Sequence, residues 1–480
     1  MTTTPTQPEM DSELLTVEVR DGARVCVPRT LDYMATYVLL EQEGWFEDEM
    51  EFVRRYLLPG MKVVDIGANY GVYALSCARS VGANGAVWAV EPGQTAASYL
   101  RQSKAVNNHA GLYVIEAALS KRTGSIDLNE GGGAESNSVV FQPGKHVSRR
   151  SVRAYALDDA AREFGWNAID LVKLDAKGEE LNILEAGRRF FTDESPLVMF
   201  ELKTINDVFN VELIKKFKTL GYRSFRLVPG MGVLTPLVAG ERAGTFQLNL
   251  FCCKVDREAE LVSRGLITGT EVTQSPVPEA KSVLDEYFAA VPGAGRFSLP
   301  AIHAISRTLG NDDLIYREGL GLFVHSQSTA HALPERARYL KLTHVRISDA
   351  IAQRETMWRN ISAVRIMLAL GYRERAAYLL KRLSDAFTQG VDTSEREPFL
   401  TTNVIYDVPT QDLPLPQALS VMVNEQLERS RAFSSAAPVR SLRAWQFRLE
   451  KTEMLRCGPR FLDRPWAEPV LLFDRTMRPA

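Results

Sequence analysis

The stretch KVVDIGANYG, residues 62–71, leads from a short β-branched run into a turn with two glycines. The run predicts a buried strand, and residues 72–80 have the composition of the helix that follows it. Gly67 and Gly71 can adopt positive φ and let a ligand approach the backbone closely. Asp65, near the end of the strand, is placed to receive a cationic group. The stretch therefore predicts a strand, turn and helix unit that binds a ligand.

Further β-branched runs alternate with helical segments along the first half of the chain. The predicted strands are residues 62–66, 86–90, 112–115, 171–174, 196–201, 224–228 and 247–253. Such alternation predicts a parallel sheet between helices, because parallel neighbours need crossover connections. Residues 229–244, between the last two strands, are rich in Gly and Pro and lack a helical period. They predict a hairpin-like connection, so the last strand should be antiparallel.

A second acid follows the second strand of the sheet. Glu91 lies 26 residues after Asp65, close to the roughly 20-residue spacing of ribose-binding acids in Rossmann-like folds. The glycine turn lacks the full G-x-G-x-x-G pattern of pyrophosphate binders and suits a zwitterionic methionine moiety instead. Small residues after the strand at 112–115, among them Ala118, leave room for a flat adenine ring.

Several motifs together resemble the FkbM family of methyltransferases. They are DIGANYGVYAL at 65–75, VEP at 90–92, ALS at 118–120, LDD at 157–159, VKLDAKGEE at 172–180 and FEL at 200–202. The resemblance covers roughly residues 50–205. It implies an α/β fold, the Rossmann-like class I methyltransferase sheet with an antiparallel last strand. It also implies S-adenosyl-L-methionine as cofactor and methyl transfer to a hydroxyl.

The resemblance assigns roles to residues of this chain. Asp65, Gly67, Asn69 and Gly71 would hold the methionine part of the cofactor, and Glu91 would hold its ribose. The chain departs from the family at Lys177, where an acid is usual, and at Lys203, where histidine is usual. Both lysines are either solvated surface charges or contacts for an acidic substrate.

The acceptor hydroxyl needs a group that takes its proton. The candidates are Asp175, Glu180 and Glu201, which lie near predicted strand ends. Asp175 has the alternative role of N-cap for a helix predicted at 179–190. A divalent metal held by Asp175 and Glu201 would lower the pKa of the hydroxyl instead, but neither spacing nor composition supports a metal site.

The chain as a whole has a formal net charge of −2, with 57 basic and 59 acidic side chains. This balance gives no electrostatic case for nucleic acid as a partner. No apolar run reaches the roughly 18 residues that span a membrane. Five cysteines without CxxC spacing favour a reducing, cytoplasmic location. We therefore expect a small-molecule or glycan acceptor.

The composition changes after about residue 256. We expect a disordered tail at 1–12, the methyltransferase domain at 13–255, a linker at 256–282, a mostly α-helical domain at 283–435 and a C-terminal tail at 436–480. Residues 357–387 have apolar positions at helical spacing on both sides of a Gly-Tyr break, which predicts a tetratricopeptide-like hairpin. This helical region is where a protein partner would bind.

Three functions follow from these observations. The first is an O-methyltransferase that acts on a hydroxyl of a glycan or secondary metabolite, as in bacterial-type polysaccharide modification. The second is a non-catalytic scaffold that binds the cofactor and uses its helical region for protein interaction. The third is an NAD-type oxidoreductase, which the incomplete glycine motif and the antiparallel last strand disfavour.

Overall fold

The computed structural model of this chain describes residues 14–29, 33–42, 44–130, 148–201, 204–205, 208–209, 211–237, 249–268, 311–393, 397–407 and 415–431. These residues fall into two compact units. The first lies within Met1–Leu227 and Leu248–Leu266, and the second within Val228–Gln247 and Ile267–Ala480. The tails expected at 1–12 and 436–480 lie outside the described residues.

The bounds of the elements follow the chain. The strands are β1 (Leu14–Glu18), β2 (Arg24–Pro28), β3 (Lys62–Ile66), β4 (Ala86–Val90), β5 (Leu112–Ile115), β6 (Ala118–Leu119), β7 (Gly124–Glu130), β8 (Ser148–Tyr155), β9 (Leu171–Leu174), β10 (Leu197–Glu201), β11 (Thr204–Ile205), β12 (Val208–Phe209), β13 (Arg223–Val228), β14 (Val233–Pro236) and β15 (Asn249–Cys253). The helices are α1 (Met34–Gln42), α2 (Glu49–Tyr56), α3 (Val72–Val81), α4 (Gln94–Asn107), α5 (Leu157–Glu163), α6 (Glu180–Ala186), α7 (Arg188–Asp193), α8 (Val211–Thr219), α9 (Val255–Ser263), α10 (Asn311–Gln327), α11 (Leu333–Gln353), α12 (Met357–Ala369), α13 (Arg373–Gln389) and α14 (Leu415–Arg431).

The main sheet of the first unit has the strand order β13-β15-β10-β9-β3-β4-β5. Strands β10, β9, β3, β4 and β5 run parallel, whereas β15 is antiparallel to both β10 and β13. The predicted Rossmann-like sheet with an antiparallel last strand is confirmed. The chain order reverses at β3, which has β4 on one side and β9 on the other, and such switch points are where open α/β sheets bind ligands.

Helices cover both faces of this sheet. The ring of Phe217 in α8 stacks on Phe200 of β10 with centroids 5.3 Å apart. On the opposite face, Phe52 of α2 meets Phe251 of β15 with centroids 4.8 Å apart. Phe251 pairs with Met199, one position before Phe200, and successive strand residues point to opposite faces. The central strands are therefore buried on both sides, as their continuous apolar sequences predict.

The helix predicted at 179–190 is wrong as a single element. The structure has two helices, α6 and α7, which meet at Gly187. A Cβ atom at Gly187 would lie 2.2 Å from Cδ2 of Leu157 in α5. A tertiary contact therefore requires glycine at the break, and the local helical period does not indicate it.

The second unit is helical over most of its described length. Helices α12 and α13 are separated by Leu370, Gly371 and Tyr372, with Gly371 at a φ of 81°. That this pair is a tetratricopeptide-like hairpin stays a prediction. Helix α9 of the first unit covers the start of the segment expected to be a linker, and residues 269–310 lie outside the described part. That this helical unit binds a protein partner stays a prediction.

None of the described helices combines the length and the apolar composition that a lipid bilayer crossing requires.

Candidate active site

The carboxyl ends of the parallel strands meet at one edge of the sheet. The N–H of Gly67, just after β3, donates to the carbonyl of Val90 at the end of β4, at 2.9 Å. The N–H of Asp175, just after β9, donates to the carbonyl of Ile66 at 3.0 Å. The loops after these strands are thus joined side by side. This edge brings most of the predicted site residues together.

The glycine turn after β3 has the backbone conformation that its glycines predict. Gly67 and Gly71 have φ of 80° and 88°, and Asn69 between them has φ of 52°. A Cβ atom at Gly67 would lie 1.9 Å from the backbone oxygen of Asp175, and one at Gly71 would lie 2.1 Å from Cδ1 of Leu100. Close packing within the chain therefore requires glycine at both positions, against the backbone of Asp175 at Gly67 and against the Leu100 side chain at Gly71.

Asp65 is the buried acid beneath this turn. Its side chain is 1 % exposed, and the ammonium of Lys173 and the backbone N–H of Ala74 approach its carboxylate. Burial raises the pKa of Asp65, although the ammonium of Lys173 lies 3.5 Å from its Oδ1 atom. A ligand that brings a cation and N–H donors would stabilise this buried carboxylate further, so the position is suited to such a ligand.

Lys173 is a site residue that our sequence analysis missed. It pairs with Asp65 in the register of β3 and β9, and its ammonium lies 3.5 Å from both Asp65 and Asp175. Burial by itself lowers the pKa of Lys173, but the two carboxylates raise it well above the ordinary value. A lysine inside the short buried strand LVKL was the available signal, because lysine is rarely buried without a partner.

Glu47 and Tyr73 complete this side of the site and were also missed. The hydroxyl of Tyr73 donates to Oε2 of Glu47 at 2.6 Å, and the ammonium of Lys173 lies 5.3 Å from the centre of the Tyr73 ring. Burial raises the pKa of Glu47. Glu47 precedes α2 and is far from the glycine turn in sequence, so no local pattern points to it.

Glu91 joins the loops after β3 and β4. Its carboxylate accepts the N–H of Asn69 at 2.9 Å and the N–H of Gly93 at 2.8 Å. The residue is 6 % exposed, and burial raises its pKa to about 7 although both hydrogen bonds lower it. Glu91 thus stands beside the glycine turn, as predicted, and holds the turn in place.

Asp175, Lys177 and Glu201 form an ion-pair cluster at the ends of β9 and β10. The ammonium of Lys177 lies 2.8 Å from Oδ1 of Asp175 and 3.5 Å from Oε2 of Glu201. Burial lowers the pKa of Lys177, but these carboxylates raise it well above its usual range. Lys177 is therefore paired with two carboxylates of the site, with 36 % of its side chain exposed. Lys203 lies outside the described residues.

Glu180, a predicted catalytic residue, contacts backbone groups of its own loop. Its carboxylate accepts the N–H groups of Ala176 and Gly178, at 3.1 Å and 2.9 Å, and so shapes the turn between β9 and α6. Ala118 is also engaged elsewhere, because its side chain packs with Leu128 and Val152 in the small core of the β6-β8-β7 sheet. A catalytic role for Glu180 and a cofactor contact for Ala118 stay predictions.

The comparisons with known proteins match the segment of the chain that contains this site. A family model described as the Methyltransferase FkbM domain matches residues 65–224. This segment is an FkbM methyltransferase domain. The match begins at Asp65 and includes the glycine turn, Glu91 and the Asp175 cluster.

A curated relative of the FkbM domain is the 2-O-methyltransferase NoeI of Sinorhizobium fredii, which is 27 % identical over 149 residues. The match covers 28 % of this chain and 60 % of the relative, so the chain spans less than two thirds of that protein.

Two solved structures are also similar to this chain. An FkbM methyltransferase from Methylobacillus flagellatus is 15 % identical, with a TM-score of 0.25 and coverage of 40 % of this chain and 43 % of that one. An O-methyltransferase from Thermotoga maritima is 14 % identical, with a TM-score of 0.28 and coverage of 51 % and 93 %. Scores this low carry no argument about the acceptor, and our description of the fold rests on the strand order of the chain itself.

We predict that Gly67→Ala destabilises the first unit by about 3 kcal/mol or more, because positive φ and a collision with the Asp175 backbone act together. Gly165→Ala is the matched control, since Gly165 has φ of 65° but no atom within 4 Å of the position that a Cβ would take. It should lose only about 1–2 kcal/mol. Urea unfolding followed by tryptophan fluorescence measures both. Equal losses would contradict the tight contact beneath the turn.

We predict that Glu91 makes the stability of the protein depend on pH. The unfolded carboxyl loses its proton near its ordinary pKa of 4.5, and the folded one only at about 7. Between these values the folded state binds more protons, so stability falls as pH rises, by at most about 3 kcal/mol from this group. Unfolding free energies of wild type and Glu91→Gln, measured from pH 4.5 to 7.5, should show a shallower decline in the variant. Parallel curves would show that Glu91 titrates normally.

Proposed function

We propose that the FkbM domain binds S-adenosyl-L-methionine and transfers its methyl group to a hydroxyl of a glycan or another small-molecule acceptor. The observation that carries the proposal is the buried carboxylate of Asp65 at the glycine turn, whose cation, the ammonium of Lys173, lies 3.5 Å away and is shared with Asp175. A buried carboxylate that shares its cation with a second acid suits a ligand with a cationic amino group.

The described residues fit this cofactor. Asp65 would receive the amino group of the methionine part, and the backbone of Gly67, Asn69 and Gly71 would line it. Glu91, already at the rim of the turn, would accept hydrogen bonds from ribose hydroxyls. When bound, the cofactor supplies an electrophilic methyl group on a sulfonium.

The charge of the edge also argues against a dinucleotide. Among the described residues on this side of the site, the single buried ammonium is that of Lys173. Three acids surround it: Glu47, Asp65 and Asp175. A pyrophosphate would add negative charge next to these acids, and Coulomb repulsion is strong where little water screens it. A zwitterionic ligand with a positive sulfonium is attracted instead.

Methyl transfer to a hydroxyl requires the protein mainly to accept one proton. As the acceptor oxygen takes the methyl carbon and the bond from sulfur to that carbon breaks, the oxygen must release its proton. Asp175 and Glu201 are the carboxylates at the strand ends that can accept it, and general-base catalysis contributes about 10²- to 10⁴-fold. Glu180 is a weaker choice because its carboxylate already accepts backbone N–H groups. The relative NoeI is a 2-O-methyltransferase, which supports oxygen as the acceptor atom.

A non-catalytic, cofactor-binding scaffold is the second candidate function. One observation favours it: Lys177 contacts both carboxylates that would act as base. A scaffold and an enzyme would bind the cofactor equally well, so only methyl transfer distinguishes them.

We expect the intact chain to bind S-adenosylhomocysteine, and Asp65→Asn to weaken that binding about 10- to 100-fold, the usual effect of a hydrogen bond to a charged group. Asp193→Asn is the matched control, since Asp193 is exposed at the opposite edge of the sheet and pairs with Arg189 on the surface. Isothermal titration calorimetry measures the three affinities.

Transfer of a labelled methyl group is then measured on a panel of sugars, oligosaccharides and hydroxylated metabolites. Transfer to an oxygen supports the enzyme, and binding without transfer to any acceptor favours the scaffold. If wild type binds no S-adenosylhomocysteine, or if Asp65→Asn binds it as tightly as wild type does, the proposed cofactor site is wrong.

A further inference from the structure

Three carboxylates converge at the acceptor side of the site. One oxygen from each of Asp175, Glu180 and Glu201 lies within 4.8 Å of the others. Oxygen atoms of this kind are the ligands that Mg²⁺, Mn²⁺ and Ca²⁺ prefer, and the repulsion between like charges this close is relieved by a nearby cation or by protonation of one group. Positive charge therefore stabilises the arrangement, whether a metal ion or a side chain supplies it.

The chain itself supplies a cation at this place. The ammonium of Lys177 lies 2.8 Å from Asp175 and 3.5 Å from Glu201, and so is close to two of the three converging side chains. The third, Glu180, is held by the N–H groups of Ala176 and Gly178. A divalent ion at the same point would have to displace the ammonium or accept its repulsion.

The turn that carries Lys177 has an unusual backbone conformation. Lys177 has φ of 50°, in the left-handed region that a residue with a side chain seldom adopts, and Gly178 follows with φ of 112°. The two backbone hydrogen bonds to Glu180 close the turn around Lys177. Unfavourable backbone conformations persist where surrounding contacts determine them, and they are concentrated at functional sites.

We propose that Lys177 is the built-in cation of the acceptor side, taking the place of a divalent metal and positioning the Asp175 and Glu201 carboxylates for the acceptor hydroxyl. The inference rests on the proposed function, which it deepens by assigning the domain to metal-independent transfer. Lys177 acts here as a positioning residue, through the two carboxylates that it holds.

Binding of Mn²⁺ to the intact chain tests this inference without any methyl transfer. Wild type should bind Mn²⁺ at least 10-fold more weakly than Lys177→Glu, which replaces the ammonium by a further ligand. Lys177→Met, which only removes the charge, should also bind Mn²⁺ more tightly than wild type, and it carries the test if the glutamate variant does not fold. Lys216→Glu is the matched control, because Lys216 pairs with Glu185 on the exposed surface and should gain no site.

The inference is overturned if wild type binds Mn²⁺ as tightly as Lys177→Glu does, or if neither Lys177 variant gains affinity while both remain folded by circular dichroism. A second readout follows any acceptor found for wild type. Its methyl transfer should be unchanged by a chelator, whereas transfer by Lys177→Glu should require added Mn²⁺. Failure of S-adenosylhomocysteine binding would remove the proposed function but leave the Mn²⁺ result unaffected, so the two failures are distinguishable.

Discussion

The buried ion pair between Asp65 and Lys173 is the interaction on which the site depends. The two residues are register partners on neighbouring parallel strands, and Lys173 reaches Asp175 as well. Removing a charge from water costs free energy unless an opposite charge lies nearby. The buried Asp65 carboxylate is therefore tolerated because β9 lies beside β3 and brings Lys173 next to it. The rest of the edge is built around this pair. Gly67 lies against the Asp175 backbone, and Glu91 holds the turn from the other side.

Charge at this edge is consistent with the cationic ligand that we propose. Among the described residues, the carboxylates of Glu47, Asp65 and Asp175 share the ammonium of Lys173, and burial raises the pKa of Glu47 and of Asp65. Positive charge that enters beside Asp65 relieves this imbalance. On the acceptor side, the ammonium of Lys177 supplies positive charge beside Asp175 and Glu201. Asp175 contacts both lysines, so the cofactor side and the acceptor side of the edge are linked through this carboxylate.

Much of this could be predicted from the sequence, because strand and turn signals are local. The strands at 62–66, 86–90, 112–115 and 171–174 have the predicted bounds, and the positive φ of Gly67 and Gly71 follows from residue type. Contacts that depend on the order of strands could not be read this way. Lys173 meets Asp65 only because β9 lies beside β3, and Glu47 reaches Tyr73 from a distant segment. For the same reason the periodicity of apolar residues did not predict the helix break at Gly187.

A crystal structure of the chain with S-adenosylhomocysteine tests the central claim most directly. We expect the amino group of the ligand to lie within hydrogen-bond distance of Asp65, and the ribose hydroxyls to lie beside Glu91. Lys173 should stay paired with Asp175. A ligand bound elsewhere on the molecule, or bound at this edge with its amino group directed away from Asp65, would contradict the view that the buried carboxylate is there to receive a cation.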